Sequence, residues 1–185
     1  MTRSRGFTLI ELMITLAVLT ILLLLATPSF TDFIQRYRLR GAADDVASVI
    51  ASARAESLMR NRNVSVVFTG SGSSWCVGAA AAPEPTTLGD PVNSNGSCTC
   101  ANDCKLSDRV VESRSADYKG VTVATVPTTM NFQRATGAVG DFETRTAAFK
   151  SPNGKYTLNV AVSPMGRGRL CVPTGSPAMS GFASC

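Results

Sequence analysis

The feature that most constrains this chain is a run of twenty residues, Phe7–Ala26, interrupted only by threonines and one carboxylate, Glu11. Wound as an α-helix at about 1.5 Å per residue, such a run spans roughly 30 Å, the thickness of a bilayer's hydrocarbon core. Only Met1-Thr2-Arg3-Ser4-Arg5-Gly6 precedes it, a short basic flank. A cleaved secretory signal would end in small residues spaced by one, and Leu24-Leu25-Ala26 does not fit that pattern. A plain single-span anchor leaves Glu11 unexplained, because a carboxylate in a spanning helix costs about 2.5–3.5 kcal/mol. Glu11 therefore calls for a cation, and the cheapest source is another copy of the chain or the chain's own amine.

Composition agrees with an apolar segment joined to an ordinary polar domain. Aromatic residues make up 6% and charged residues 17%, yet mean hydropathy is +0.12. A chain of 185 residues holds one modest domain beyond the apolar run. His is absent, which removes the usual general base, proton shuttle and commonest metal ligand. Six cysteines (76, 98, 100, 104, 171 and 185) all lie beyond the apolar run. An even count in an exported domain reads as disulfides, and zinc lacks both His and a second CxxC pair. No metal and no cofactor is expected. Arg3 and Arg5 on one flank against Arg36, Arg38 and Arg40 on the other leave the positive-inside count ambiguous. The cysteines decide it: their domain lies outside the cytoplasm.

Beyond Pro28, apolar residues recur at Phe30, Phe33, Ile34, Tyr37, Val46, Val49, Ile50 and Ala53, with Asp44, Asp45, Arg54 and Glu56 between them. That spacing predicts a helix to about Met59, its second half laying an apolar stripe on a sheet, with Asn61-Arg62-Asn63 as its stop. Gly41 weakens this helix without breaking it. Strand-like runs follow at 64–69, 74–78, 109–112, 121–126, 130–133, 157–163 and 168–172. Residues 79–108 are rich in Ala, Pro, Gly, Ser and Asn and too long for an ordinary loop, so their three cysteines are expected to staple it. The favoured pairings are Cys171 with Cys185, and Cys76 with either Cys98 or Cys100. Cys98 with Cys100 would close a strained ring, and Cys104 is left open.

The segment Gly6-Phe7-Thr8-Leu9-Ile10-Glu11 resembles the processing site of type IV prepilins and type II secretion pseudopilins. The resemblance implies cleavage by the prepilin peptidase between Gly6 and Phe7, N-methylation of Phe7, and a Glu11 that meets the N-terminal amine of a neighbouring subunit. It also implies a bend or local melting at Pro28. The expected architecture is α+β and type IV pilin-like: a long N-terminal helix, first transmembrane and then amphipathic, packed on an antiparallel β-sheet head. The divisions are a leader at 1–6, a transmembrane segment at 7–28, an amphipathic helix at 29–60 and a disulfide-bonded head at 61–185. The protein is expected as a single-pass inner-membrane protein with its head in the periplasm, taken up with other pilins or pseudopilins into a filament.

Within that group the chain is similar to the FimT, FimU and GspH type. The resemblance is carried by Ala53-Arg54-Ala55-Glu56-Ser57, by Met130-Asn131-Phe132 through Gly137, and by Ser163 through Cys171. FimT proteins carry a Gly-Arg-x-Arg motif proposed to contact DNA, and Gly166-Arg167-Gly168-Arg169 matches it. The resemblance therefore implies DNA binding through phosphates during natural transformation, with Arg134, Lys150 and Lys155 as a basic surround. Two guanidinium groups suit phosphate oxygens, and two glycines let the backbone turn tightly. From Met130 onward the basic residues Arg134, Arg145, Lys150, Lys155, Arg167 and Arg169 outnumber Asp141 and Glu143. The nearby aromatics (Phe132, Phe142, Phe149 and Tyr156) are too few for recognition driven by base stacking. The alternatives are a FimU-like minor pilin that primes assembly and a GspH-like pseudopilin of type II secretion. Catalysis is not expected: no nucleophile–base pair is present, and Gly70–Ser74 reads as a turn rather than a phosphate loop.

Overall fold

A computed structural model describes residues 6–83, 95–127, 129–141 and 143–185, with the side chains of residues 25–29 outside that description. It divides into two compact units, Met1–Gln35 and Arg36–Cys185. One helix, α1 (Leu9–Met59), contributes to both. Its first turn is capped by Thr8, whose Oγ1 accepts from the Glu11 amide at 3.3 Å. Thr15 and Thr20 donate their hydroxyls back to the carbonyls of Leu12 and Leu16, both at 2.8 Å, so neither leaves an unpaired polar atom in the apolar run. Pro28 falls inside α1, and its side chain lies outside the described residues. Among the described residues no helix is long and apolar enough to cross a membrane. The apolar run continues into residues 25 and 26, whose side chains are not described, and residues 1–5 of the expected leader also lie outside the description.

In the second unit, α1 buries one stripe: Leu39, Ala42, Ala43, Val46, Val49, Ile50, Ala53 and Ser57. These positions recur every three or four residues, as one helix face requires. The stripe lies in the second half of the helix, as expected, while Phe30, Phe33 and Tyr37 are exposed. Asn61, with φ +51°, takes the left-handed conformation that closes a helix C-terminus.

Among the described residues ten strands follow: β1 (Val64–Ser71), β2 (Ser74–Ala81), β3 (Lys105–Leu106), β4 (Arg109–Val110), β5 (Glu112–Arg114), β6 (Thr122–Thr125), β7 (Met130–Phe132), β8 (Arg145–Lys150), β9 (Thr157–Val162) and β10 (Gly168–Cys171). They form two four-stranded antiparallel sheets, ordered β5-β2-β1-β7 and β10-β9-β8-β6, and a small β3-β4 hairpin. The head is antiparallel, as expected, with its strands divided between these sheets. The strand expected at 109–112 is really two, because Arg109–Val110 pairs with β3 and Glu112–Arg114 pairs with β2. β8 is a strand that the pattern missed. It buries only Ala147 and Phe149, too little apolar alternation to stand out.

The α1 stripe and both sheets enclose one core that includes Val64, Val66, Val77, Phe132, Phe149, Leu158, Val160 and Val162. Trp75 joins the layers, with its indole N–H donating to Val121 O at 3.0 Å and its ring edge-on to Phe149 at 5.1 Å. The buried indole is thereby left with no unpaired donor. The disulfides are Cys76–Cys100, Cys98–Cys104 and Cys171–Cys185. The first two stack against β2 at Gly78, where any Cβ would collide with Cys104 Sγ. Cys76–Cys100 ties the segment that follows residues 84–94 to β2, and Cys98–Cys104 closes a loop within that segment; residues 84–94 lie outside the description.

Candidate nucleic-acid interface on the terminal hairpin

The turn from β9 to β10 carries the Gly-Arg pattern. Gly166 donates to Ser163 O at 2.8 Å, Ser163 donates to Arg167 O at 2.9 Å, and the Arg167 amide donates to Ser163 Oγ at 3.2 Å. Gly166 has φ +75°, and a Cβ there would collide with the Gly137 carbonyl oxygen and press on Phe132 and on Arg54. This glycine is required by both conformation and space. Two further bonds hold the turn in place. Val139 donates to Pro164 O at 2.9 Å, and Arg54 Nε on α1 donates to Gly137 O at 3.2 Å. Arg54 and Gly137 are 83 residues apart in the chain, and both fall in segments that carry the family resemblance, though neither segment's pattern shows their contact with the motif.

Gly168 differs from Gly166. It sits in the extended strand, paired with Val162, and a Cβ there would meet Ile50 at an ordinary 3.8 Å. The expectation that both glycines serve the turn therefore holds for Gly166 alone. Since Gly168 faces the helix, the pleat turns Arg167 and Arg169 to the opposite, outer face of β10. Both are exposed, and among the described residues neither guanidinium has an ion-pair partner. They border an open depression of about 460 Å³, shared with Thr144, Ala161 and Ser163.

The other predicted basic residues lie farther off. Lys150 is on β8, paired with Thr157, whereas Arg169 is paired with Ala161. The two share the outer face but stand four residues apart along β9, about 13 Å. Lys155 lies in the β8–β9 turn with its ammonium 5.2 Å from the Tyr156 ring centre. Arg134 is on the loop after β7, its amide donating to Asn63 Oδ1 at 3.1 Å. Arg145 is neutralised by Asp141 and Glu143. The basic excess of the last third is thus dispersed, and only Arg167 and Arg169 stand side by side. Phe132, Phe149 and Tyr156 are buried, which removes them as stacking platforms, and Phe142 lies outside the described residues.

At the other end of the chain, Gly6 and Phe7 are exposed just ahead of α1 and belong to no helix or strand, with Phe7 82% exposed. Among the described residues no cation pairs with the Glu11 carboxylate. A cluster of Cys98, Asp103 and Cys104 has metal-like proximity, but both sulfurs are bonded to each other. The Asp103 carboxylate accepts from the Thr99 amide and hydroxyl and from the Ala101 amide. Those bonds, the Thr99 amide foremost, hold its pKa below the ordinary Asp value against the opposing effect of burial. The donors are all engaged, so the cluster is a braced loop.

A family model described as type II transport protein GspH matches residues 42–166, well over half of the chain. The chain belongs to the GspH family. A second model, the prokaryotic N-terminal methylation motif, matches residues 1–27. No curated protein matches the sequence. Two crystal structures of the type IV minor pilin FimU of Pseudomonas aeruginosa strain PAO1 are similar in shape. The P65 form has 19% identity and a TM-score of 0.46, covering 71% of this chain and 91% of that one. The P21 form has 16% identity and a TM-score of 0.47, covering 80% and 97%. Membership makes the protein a pilin-like subunit of the minor pilin and pseudopilin type, which assembles with other pilins into a filament and is not an enzyme. The GspH match ends at Gly166, so membership says nothing of Arg167 and Arg169.

Proposed function

We propose that the protein is a FimT-like minor pilin of a type IV pilus whose terminal hairpin binds DNA during natural transformation. The observation that carries this reading is the pair Arg167 and Arg169, one residue apart on the outer face of β10, exposed and without acidic partners among the described residues. Paired guanidiniums suit phosphate oxygens, and among the described residues Phe132, Phe149 and Tyr156 are buried, which favours binding that ignores sequence. In this reading the chain is cut by the prepilin peptidase between Gly6 and Phe7, and Phe7 is N-methylated. Residues 7–28 anchor it in the inner membrane with the head in the periplasm. Glu11 meets the N-terminal amine of a neighbouring subunit, and Pro28 bends the helix.

The test uses the full chain in mild detergent, titrated with duplex DNA over a range of salt. Two phosphate contacts give a log–log salt slope of about −1.8. Replacing Arg167 and Arg169 by Gln should abolish that binding and leave thermal unfolding unchanged. Undiminished DNA retention at low salt would remove the hairpin from the reading. Mass spectrometry of the membrane-extracted chain should find N-methylated Phe7, and a chain starting at Met1 or Thr2 would contradict the processing.

One observation favours a second reading, a FimU-like or GspH-like structural subunit. Gly166 is accounted for by its packing on Gly137 and Arg54, so that half of the motif needs no ligand. Neighbouring genes distinguish the two systems: other minor pilins would indicate a pilus, and secretion components a pseudopilus.

A further inference from the structure

β10 is an outer strand of its sheet, and the hydrogen bonds at its ends identify its open backbone groups. Ser163 donates to Arg167 O, so residues 163 and 167 form a bonded pair at the base of the hairpin. Such pairs alternate in an antiparallel ladder, which makes Arg169 with Ala161 and Cys171 with Asn159 the next two. Gly168, Leu170 and Val172 therefore direct N–H and C=O away from β9. At Val172 both groups are taken by the C-terminal tail: Val172 donates to Ala183 O and Cys185 donates to Val172 O, each at 2.9 Å. The tail runs parallel to β10 there, is tied by Cys171–Cys185, and reaches no farther. Among the described residues nothing pairs with the outward groups of Gly168 and Leu170.

An open edge of this kind is a template for a further strand. We infer that the Gly168–Leu170 edge takes a short extended acidic segment of another filament subunit, which adds to the sheet beside β10. Charge complementarity identifies the occupant. Arg167 and Arg169 stand on the outer face one residue apart, and cross-strand neighbours on the same face lie about 5 Å away. Carboxylates at alternate positions of an added strand thus meet both guanidiniums in paired, charge-assisted hydrogen bonds. The residue between them lies on the helix side, next to the space that Gly168 leaves open in front of Ile50. That position suits a small apolar side chain. The tail at Val172 bounds the site, so the segment is short, in the order acidic–apolar–acidic. This goes beyond the DNA reading and uses the same two arginines, so the segment and DNA exclude one another.

Backbone substitution separates the two ligands. Gly168→Pro removes an outward N–H that the β9 ladder does not use, and Pro is tolerated on such an edge. Both guanidiniums remain. The full chain in detergent is mixed with a short peptide of alternating Glu and Val, with a Lys–Val peptide as control, and with duplex DNA. In the unsubstituted protein the Glu–Val peptide should slow amide exchange at Gly168 and Leu170 by about tenfold, as new backbone bonds would. The Lys–Val peptide should not slow it. Gly168→Pro should weaken the Glu–Val peptide about tenfold while DNA affinity stays within about twofold, since phosphate contacts come from side chains. Gly168→Ala keeps the outward N–H and should bind the Glu–Val peptide more tightly than Gly168→Pro does; equal loss in both variants would overturn the backbone contact. Unprotected amides at Gly168 and Leu170 would overturn the inference, and that measurement decides the matter even if the Pro variant misfolds. Full peptide binding by a folded Gly168→Pro would reduce the contact to guanidinium charge alone and equally overturn it. Protection by DNA in place of the peptide would assign the edge to nucleic acid.

Discussion

Replacing Gly166 by Ala tests how the hairpin is held. At φ +75° an L-residue costs about 1–2 kcal/mol relative to Gly. The new methyl would also lie well inside the 3.0 Å limit from the Gly137 carbonyl oxygen, 3.0 Å from a Phe132 ring carbon and 3.1 Å from Arg54 Cδ. The oxygen is backbone and cannot swing aside as a side chain can. The loop after β7 must move, straining the Arg54–Gly137 and Val139–Pro164 bonds. Overpacking of this sort costs about 1–3 kcal/mol, for a combined loss of about 3 kcal/mol. Trp75 is the only tryptophan and is buried in the head, so its fluorescence in urea reports head unfolding alone, with disulfides intact and the chain in detergent. At a slope of about 2 kcal/mol per molar urea, the midpoint should fall by about 1.5 M. Gly168→Ala is the matched control: its φ is ordinary and its nearest contact is 3.8 Å, so its midpoint should hold or rise slightly. Equal midpoints for the two variants would refute the packing of Gly166 on Gly137.

Three other outcomes are expected. The Tyr118 pKa is pushed up to about 12, first by burial and then by the Asp45 charge and hydrogen bond, with Asp117 and Asp44 adding to it. The folded chain thus holds this proton more tightly than the unfolded one, whose value is 10.0, so the stabilisation is complete below pH 10.0 and is lost as pH rises through about 12. Tyr118→Phe should flatten that decline in Trp75-monitored unfolding, and an unchanged profile would count against the assignment. Cys171→Ser with Cys185→Ser opens a fourteen-residue separation and should lower stability by about 3 kcal/mol, with faster exchange of the Val172 amide, which donates to the tail at Ala183 O. A free Cys171 in a non-reducing peptide map of the unsubstituted chain would contradict that bond. Glu11→Ala should leave insertion and processing intact but block entry into filaments; normal incorporation would show that its partner is not another subunit.

The parts legible in the sequence were those with local periodicity. The late helix stripe from Val46 to Ala53 repeats every three or four residues, and Asn61 supplies a left-handed stop, so the helix end near Met59 could be read directly. β9 alternates and is rich in β-branched and aliphatic residues, and it too could be read. β8 could not, because a central strand whose inward positions are Ala147 and Phe149 carries almost no alternation of its own. The division into two sheets depends on pairings such as β7 with β1, more than sixty residues apart, which no local pattern encodes. The same holds at the site. Arg167 and Arg169 stand out in the sequence, but the groups that fix their hairpin, Arg54 and the Gly137 carbonyl, come from a helix and a loop far away in the chain.

That division of labour bears on what Gly166-Arg167-Gly168-Arg169 can mean. A four-residue match looks like a single functional unit, yet its members answer to different constraints. Gly166 is fixed by the fold: its φ, its contact with Gly137 and the bonds around Ser163 would demand glycine in a protein with no ligand at all. Gly168 is under no such demand, since a Cβ fits there, and its lack of a side chain leaves the helix side of an open strand edge bare. Arg167 and Arg169 contribute no ion pair to the head among its described residues, and both protrude from the face turned away from the core. A residue that folding does not need, held in place by residues that folding does need, is free to be set by whatever it meets outside the molecule. Function in this motif should therefore be sought in its two arginines and in the backbone of Gly168, and a loss of activity on changing Gly166 should be read first as a loss of structure.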